Sequence, residues 1–158
     1  MRASIALPAD VVQALGRVAW ISMNLEDWTK SACELVLRQF DTRIHIGEHI
    51  RAAIAEAETW PQTPELEAAI AWLREAQAAM IRRNHVLHAV PQRSTEEPSR
   101  PSLLYFPKLD RRTQTREPPI LTPLEVDALT AVSDQIETAL DGWRDSFIAL
   151  SHARDARG

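Results

Sequence analysis

Cysteine and glycine are scarce in this chain. Its 158 residues include 1 cysteine and 4 glycines, and no stretch sustains an alternation of apolar and polar residues. The missing alternation argues against a protein built mainly of β-sheet. Cys33 cannot form a disulfide within the chain, so we expect a reducing, cytoplasmic location. A small core residue and a catalytic thiol are the two roles considered for Cys33.

Long apolar runs and cofactor motifs are also missing. The N-terminal residues do not follow a signal-peptide pattern, and no window of about 18 residues is both apolar and uncharged. We therefore expect neither secretion nor a membrane partner. The sequence has no P-loop, no glycine-rich dinucleotide turn, no Cys-x-x-Cys pair and no G-x-S-x-G motif. These absences lead us to expect no cofactor.

Positive charge is not in excess overall, but it is concentrated locally. The net charge is −4 at pH 7, which is not the basic field typical of a nucleic-acid-binding protein. Residues 82–116 nevertheless carry 8 Lys and Arg against 3 Asp and Glu, whereas the rest of the chain is acidic. This basic segment is expected either to contact phosphates or to form a solvated loop. Its candidate RNA-binding residues are Arg82, Arg93, Lys108, Arg111 and Arg112.

Apolar residues at helical spacing dominate the remaining pattern, among frequent Ala, Leu, Glu, Arg and Gln. We expect an all-α protein, namely an antiparallel four-helix bundle that forms one domain over residues 1–158. The predicted helices cover residues near 9–40, 43–59, 64–88 and 123–152, and a flexible tail is expected at about 153–158.

Two capping patterns and one insert define the predicted boundaries. Asp41 or Thr42 is the expected N-cap of the second helix. A capping box for the last helix is predicted at Thr122-Pro123-Leu124-Glu125. Residues 89–121 are basic and rich in proline, which predicts a small β-hairpin or irregular insert between the last two helices. Its two short strands are expected at about 89–94 and 102–107.

Polar residues interrupt the apolar stripe at the end of the predicted third helix. Asn84 lies in this stripe where a leucine would be expected, and Arg83 and His88 lie on its two sides, about 140° apart around the helix. Burying such groups costs a few kcal/mol without partners, so the cluster needs a structural network or a ligand. Pro91 requires the helix to end soon after His88. The negative end of the helix dipole then favours a protonated His88.

A metal site is the competing interpretation of other polar residues. His45 and His49 lie four residues apart on one predicted helix, with Glu48 beside them. The chain lacks the H-E-x-x-H pattern that would support metal binding, so a solvated or capping role is the alternative. We favour that alternative and predict no metal site.

Arg83, Asn84 and His88 match the R-x4-6-H motif of HEPN domains, in which a polar residue accompanies the arginine. The order of elements adds to the similarity. A long first helix carries Leu25-Glu26 in its middle, the motif lies late in the third helix, and a hairpin precedes the final helix. The chain therefore resembles bacterial HEPN-like proteins.

The resemblance implies a metal-independent ribonuclease of toxin or phage-defence type, with an antitoxin or another protein as a further partner. It also implies a homodimer in which Arg83 and His88 of two subunits share one composite site. In such a site His88 transfers protons, Arg83 holds phosphate, and Asn84 orients His88 or contacts substrate. Glu26 is expected to pair with Arg83, and His85 to support the site. The alternative implied by the same family is an inactive nucleotide-binding or protein-interaction module.

Overall fold

The computed structural model describes residues 7–93, 101–108 and 115–157. Within these residues the chain is mainly helical and carries a small antiparallel sheet, so the predicted helical class is confirmed in that coarse sense. The four-helix bundle itself stays a prediction. No helix in the described ranges has the length and apolar composition needed to cross a membrane. The elements are α1 (Ala9–Leu37), α2 (Ile46–Ala57), α3 (Pro64–Leu87), β1 (Val90–Arg93), β2 (Pro101–Tyr105), β3 (Ile120–Pro123), α4 (Val126–Asp141) and α5 (Trp143–Asp155).

The chain divides into two compact units. The first unit comprises residues 1–20 and 81–133, and the second comprises residues 21–80 and 134–158. Each unit has its own buried apolar residues. In the first unit these include Val11, Val18, Val86, Leu103, Leu124, Leu129 and Val132. In the second unit they include Leu25, Ile50, Leu66, Leu73, Ile136 and Leu150.

The sheet of the first unit has the strand order β1-β2-β3, and both pairings are antiparallel. Val90 lies opposite Leu104, which in turn lies opposite Leu121, so these three side chains share one face of the sheet. Val90 and Leu121 are 53% and 64% exposed on that face. Leu103 points to the other face and is buried. The sheet therefore has a packed face and an apolar face that is partly open to solvent.

Aromatic side chains organise the second unit. Trp28 and Trp143 stack with ring centroids 3.5 Å apart. The indole N–H of Trp72 donates a hydrogen bond of 2.6 Å to the backbone oxygen of Ala139. Gly142 lies against the same indole, and a Cβ at this position would be 3.0 Å from Trp72 Cδ1. A residue without a side chain is therefore favoured where α4 ends.

The first two helices have different ends from those predicted. Helix α1 ends at Leu37 rather than near residue 40, because Arg38 adopts a left-handed backbone conformation with φ of 59°. Helix α2 begins at Ile46, and its N-cap is His45, whose side chain accepts a hydrogen bond from the Gly47 N–H. The predicted cap by Asp41 or Thr42 is wrong. Asp41 instead accepts hydrogen bonds from the backbone and guanidinium of Arg43.

The predicted helix over residues 123–152 is wrong at its start and in its interior. Thr122 and Pro123 belong to β3, where they pair with β2, and α4 begins only at Val126. Pro123 fits there because β3 is an edge strand and does not need every N–H for pairing. Gly142 then separates α4 from α5. Strand pairing has thus taken precedence over the local capping pattern.

The insert contains more strand than predicted. Strands β1 and β2 correspond to the two expected strands, and they pair with each other as a hairpin would. The third strand, β3, was not predicted. Residues 94–100, which connect β1 to β2, lie outside the described residues.

Candidate functional site

The Arg83 motif lies where α3 ends in the first unit. Helix α3 closes at Leu87, and His88 is the first residue of the following turn, one residue beyond the helix that was predicted to include it. The His88 N–H donates a hydrogen bond of 3.1 Å to the backbone oxygen of Asn84, which completes the last helical turn. The His88 side chain is exposed. The imidazole therefore stands at the negative end of the helix, in contact with solvent.

Arg83 and Asn84 interact directly. The guanidinium of Arg83 donates two hydrogen bonds to Asn84 Oδ1, from Nε at 3.1 Å and from Nη2 at 3.0 Å. Both residues are half-buried. Two donors on one acceptor limit rotation of the guanidinium, so Arg83 is held in a defined orientation. The amide oxygen of Asn84 thus acts on Arg83, a role that the sequence analysis did not consider.

The apolar stripe of α3 follows a different path at its end. Val86 is buried, whereas Leu87 is 37% exposed. The buried face of the helix therefore passes through Val86 and not through Leu87. Arg83 lies three residues before Val86 on the helix and is half-buried, and its head group reaches Asn84.

His85 packs on a residue of the sheet. Its imidazole lies against the ring of Tyr105 in β2, with centroids 4.9 Å apart and planes tilted by 40°. Burial lowers the pKa of His85, the nearby positive charge of Arg82 lowers it further, and the negative charge of Glu117 opposes both effects. A lowered pKa favours the neutral imidazole at physiological pH. His85 therefore links the end of α3 to β2 in its uncharged form.

Tyr105 and Glu117 are members of this cluster that sequence reasoning missed. One signal for Tyr105 was available, because alternation along a strand places it on the same face as the buried Leu103. That signal does not say which helix the face covers. Glu117 lies in an irregular segment before β3, where no periodic pattern marks its position.

Glu26, the expected partner of Arg83, forms an ion pair within its own helix. Its carboxylate lies 2.9 Å from the Nζ atom of Lys30, one turn later in α1. Glu26 is half-buried. The pairing of Glu26 with Arg83 stays a prediction.

Only part of the predicted RNA-binding set can be placed. Arg82, on α3, and Lys108, after β2, are both exposed. The backbone of Arg93 lies in β1 opposite Pro101, but its side chain is outside the description. Arg111 and Arg112 lie outside the described residues. The exposed cations that remain are therefore Arg82 and Lys108.

The histidines of the competing metal hypothesis have other roles. His45 Nδ1 accepts a hydrogen bond from the Gly47 N–H at 3.4 Å. His49 is buried, stacks on Phe40 at 4.0 Å, and donates from Nε2 to the backbone oxygen of Asp41 at 2.9 Å. In the part of the chain that the structure describes, no group of three or more His, Cys, Asp or Glu residues is arranged to hold a metal.

Cys33 is buried in the second unit. Burial, and to a lesser extent the charge of Glu34, raise the pKa of its thiol to about 12. The thiol is therefore protonated at physiological pH and is not a nucleophile. The core role considered for Cys33 fits this environment.

The chain has no match among protein-family models, curated proteins or solved structures.

Proposed function

We propose that this chain is a HEPN-like, metal-independent ribonuclease whose site lies at the end of α3. One observation supports the proposal. An exposed His88 lies five residues after Arg83, and the guanidinium of Arg83 is oriented by Asn84. A proton-transfer group and an oriented phosphate ligand are two of the requirements for RNA cleavage without metal.

The reaction needs one group that accepts a proton and one that donates a proton. A neutral imidazole removes the proton of the RNA 2′-hydroxyl, and the 2′-oxygen forms a bond to phosphorus. The bond from phosphorus to the 5′-oxygen breaks, and an imidazolium protonates that leaving oxygen. The products carry a 2′,3′-cyclic phosphate and a 5′-hydroxyl. Arg83 stabilises the additional negative charge on the phosphate during the transfer.

A homodimer supplies two imidazoles for the two proton transfers, since each subunit contributes one His88. The same helix end and the adjoining sheet offer apolar surface for such an interface. Exposed apolar residues of the first unit include Ile81, Leu87, Val90, Phe106 and Leu121. Val90 and Leu121 lie on one face of the sheet, and a shared apolar face open to solvent favours a contact surface. An isologous contact would bring two copies of the Arg83 motif to one axis.

A second candidate is a nucleotide-binding or protein-interaction module without catalytic activity. One observation favours it, because the Nε and Nη2 atoms of Arg83 donate to Asn84. If substrate cannot displace these bonds, the motif stabilises the helix end and does not bind a reacting phosphate. The two candidates differ in whether RNA is cleaved.

The test incubates the purified protein with unstructured and structured RNA in the presence of a chelator. We expect cleavage to 2′,3′-cyclic phosphate ends, a loss of roughly 10²–10⁴-fold in His88→Ala, and a comparable loss in Arg83→Ala. His152→Ala is the matched control, since His152 is also exposed but lies on α5 in the second unit.

Three results of these experiments would contradict the proposal or one part of it. Cleavage that persists unchanged in folded His88→Ala indicates a contaminating nuclease and contradicts the proposal. RNA binding without cleavage in the wild-type protein favours the binding module. A monomeric mass by light scattering at micromolar concentrations, together with cleavage, contradicts the composite dimer site but not the ribonuclease.

A further inference from the structure

A second site candidate is a polar pocket of about 460 Å³ in the second unit. The pocket lies beside the C-terminal ends of α1 and α5 and the residues that follow α2. Its lining consists of Val36, Leu37, Arg38, Glu56, Trp60, Arg154 and Arg157. The volume falls within the range of pockets that hold small molecules.

The lining carries three guanidiniums and one carboxylate. That carboxylate, Glu56, is already occupied, because it accepts a hydrogen bond of 3.0 Å from the indole N–H of Trp60 and another from Arg157. The Arg157 guanidinium also lies over the Trp60 ring, 5.8 Å from its centroid. These contacts position Arg157 at one wall of the pocket. The charge of Glu56 also acts on Arg38. The three guanidiniums nevertheless outnumber the single carboxylate of the lining, so the pocket carries a net positive charge.

Arg154 has a partner that a ligand can replace. It donates to Asp155 Oδ1 at 3.1 Å, and the Asp155 side chain is 65% exposed. An ion pair with an exposed carboxylate contributes little free energy, so exchanging it for a phosphate costs little. The phosphate dianion is the stronger acceptor for the planar fork of an arginine.

Arg38 occupies an unusual backbone conformation. Its φ of 59° lies in the left-handed region, which glycine or asparagine normally occupies where a helix ends. An arginine at this position is disfavoured by the backbone, yet its side chain lines the pocket. Residues held in such conformations are often found at ligand sites.

Interaction of cations with helix dipoles is the simpler explanation for arginines near the ends of α1 and α5. That explanation accounts for the presence of a positive charge at each end. It does not require the three guanidiniums to line one pocket, and it does not favour arginine over glycine at the left-handed position 38.

We propose that this pocket binds a phosphate monoester dianion carried by a small molecule, with Arg38, Arg154 and Arg157 as its ligands. The site is independent of the ribonuclease proposal, since none of its residues belongs to the Arg83 motif. Its size suits a ligand no larger than a mononucleotide.

Isothermal titration with inorganic phosphate and with a nucleoside 5′-monophosphate tests the site in the full chain. We expect saturable binding with one ligand per chain, and binding about tenfold weaker in Arg38→Gln and in Arg154→Gln. Arg74→Gln is the matched control, because Arg74 is an ion-paired arginine of the same unit that does not line the pocket. Stronger binding of the monophosphate than of phosphate would show that the pocket also contacts the rest of the molecule.

Arg38→Gly distinguishes a binding role from a structural one. Glycine suits the left-handed conformation, so we expect a higher melting temperature together with phosphate binding weakened about tenfold, as in Arg38→Gln. Unchanged binding in Arg38→Gly overturns the proposal, and so does an equal loss in Arg74→Gln. Binding of an RNA oligonucleotide that depends on Arg38, without binding of either small probe, also overturns it. Phosphate binding retained in His88→Ala would separate this site from the proposed ribonuclease site.

Discussion

The imidazole of His85 lies against the phenol ring of Tyr105, with ring centroids 4.9 Å apart. This contact joins the last turn of α3 to β2 within the first unit. Proton uptake by His85 would place a charge in a half-buried position beside the positive charge of Arg82. Burial, together with the charge of Arg82, therefore favours the neutral form of the histidine.

The first prediction concerns the pH dependence of stability. In the folded chain the pKa of His85 lies below its usual value of 6.5, so the unfolded chain binds the proton more readily. The free energy of unfolding should therefore fall as the pH decreases below about 6.5, until the folded pKa is passed. His85→Gln should flatten this dependence, whereas His152→Gln should not. Urea denaturation at several pH values between 7.5 and 5 measures the free energy of unfolding of the wild type and of both variants. If this free energy depends on pH in His85→Gln as it does in the wild type, the prediction is contradicted.

The second prediction compares two glycines. Gly142→Ala should destabilise the chain by about 1–3 kcal/mol, because the new Cβ would lie 3.0 Å from Trp72, whose indole is fixed by Ala139. Gly16→Ala should stabilise it by about 0.5–1 kcal/mol, because Gly16 lies inside α1 with no described atom within 4 Å of the new Cβ. Chemical denaturation of both variants measures the difference. Effects of the same sign would be inconsistent with this structure.

The third prediction concerns Ser133, whose side chain is buried in α4. Among the described residues its Oγ atom has no hydrogen-bond partner. Ser133→Ala should raise the free energy of unfolding by about 1 kcal/mol, because a buried unpaired hydroxyl is removed. Ser31→Ala is the control for helix propensity, since the Ser31 hydroxyl donates to the backbone oxygen of Asp27 in α1. A smaller gain at Ser133 than at Ser31 would mean that the buried hydroxyl has a partner.

The fourth prediction concerns RNA binding by exposed cations of the basic segment. Arg82→Gln and Lys108→Gln should each weaken binding of single-stranded RNA and reduce the slope of log Kd against log salt by about 0.7. Both should leave the chemistry at a saturating RNA concentration unchanged. Arg51→Gln, at an exposed position on α2, is the charge-matched control. Fluorescence anisotropy at several salt concentrations measures the slopes, and identical slopes in all variants would exclude these phosphate contacts.

Local patterns in the sequence predicted the helices well where caps and periodicity agree. Pro64 opens α3 and the helix ends at Leu87, close to the predicted limits of 64 and 88. The end of the helix close to His88 follows from Pro91, whose ring disfavours the helical conformation for the residue before it. These features depend on interactions between residues that are near in the chain, so the order of residue types is sufficient to predict them.

Contacts between residues that are distant in the chain decided the features that local patterns did not predict. Pairing with β2 made Thr122-Pro123 a strand although its local pattern is that of a helix start, because a strand gains its hydrogen bonds only from a partner. Folding also placed Tyr105 beside His85, twenty positions away in the chain. The pocket with Arg38 and Arg157 joins positions more than a hundred residues apart. The sequence alone determined where α3 begins and ends. The tertiary structure decided which groups meet, since no local periodicity specifies partners brought together by folding.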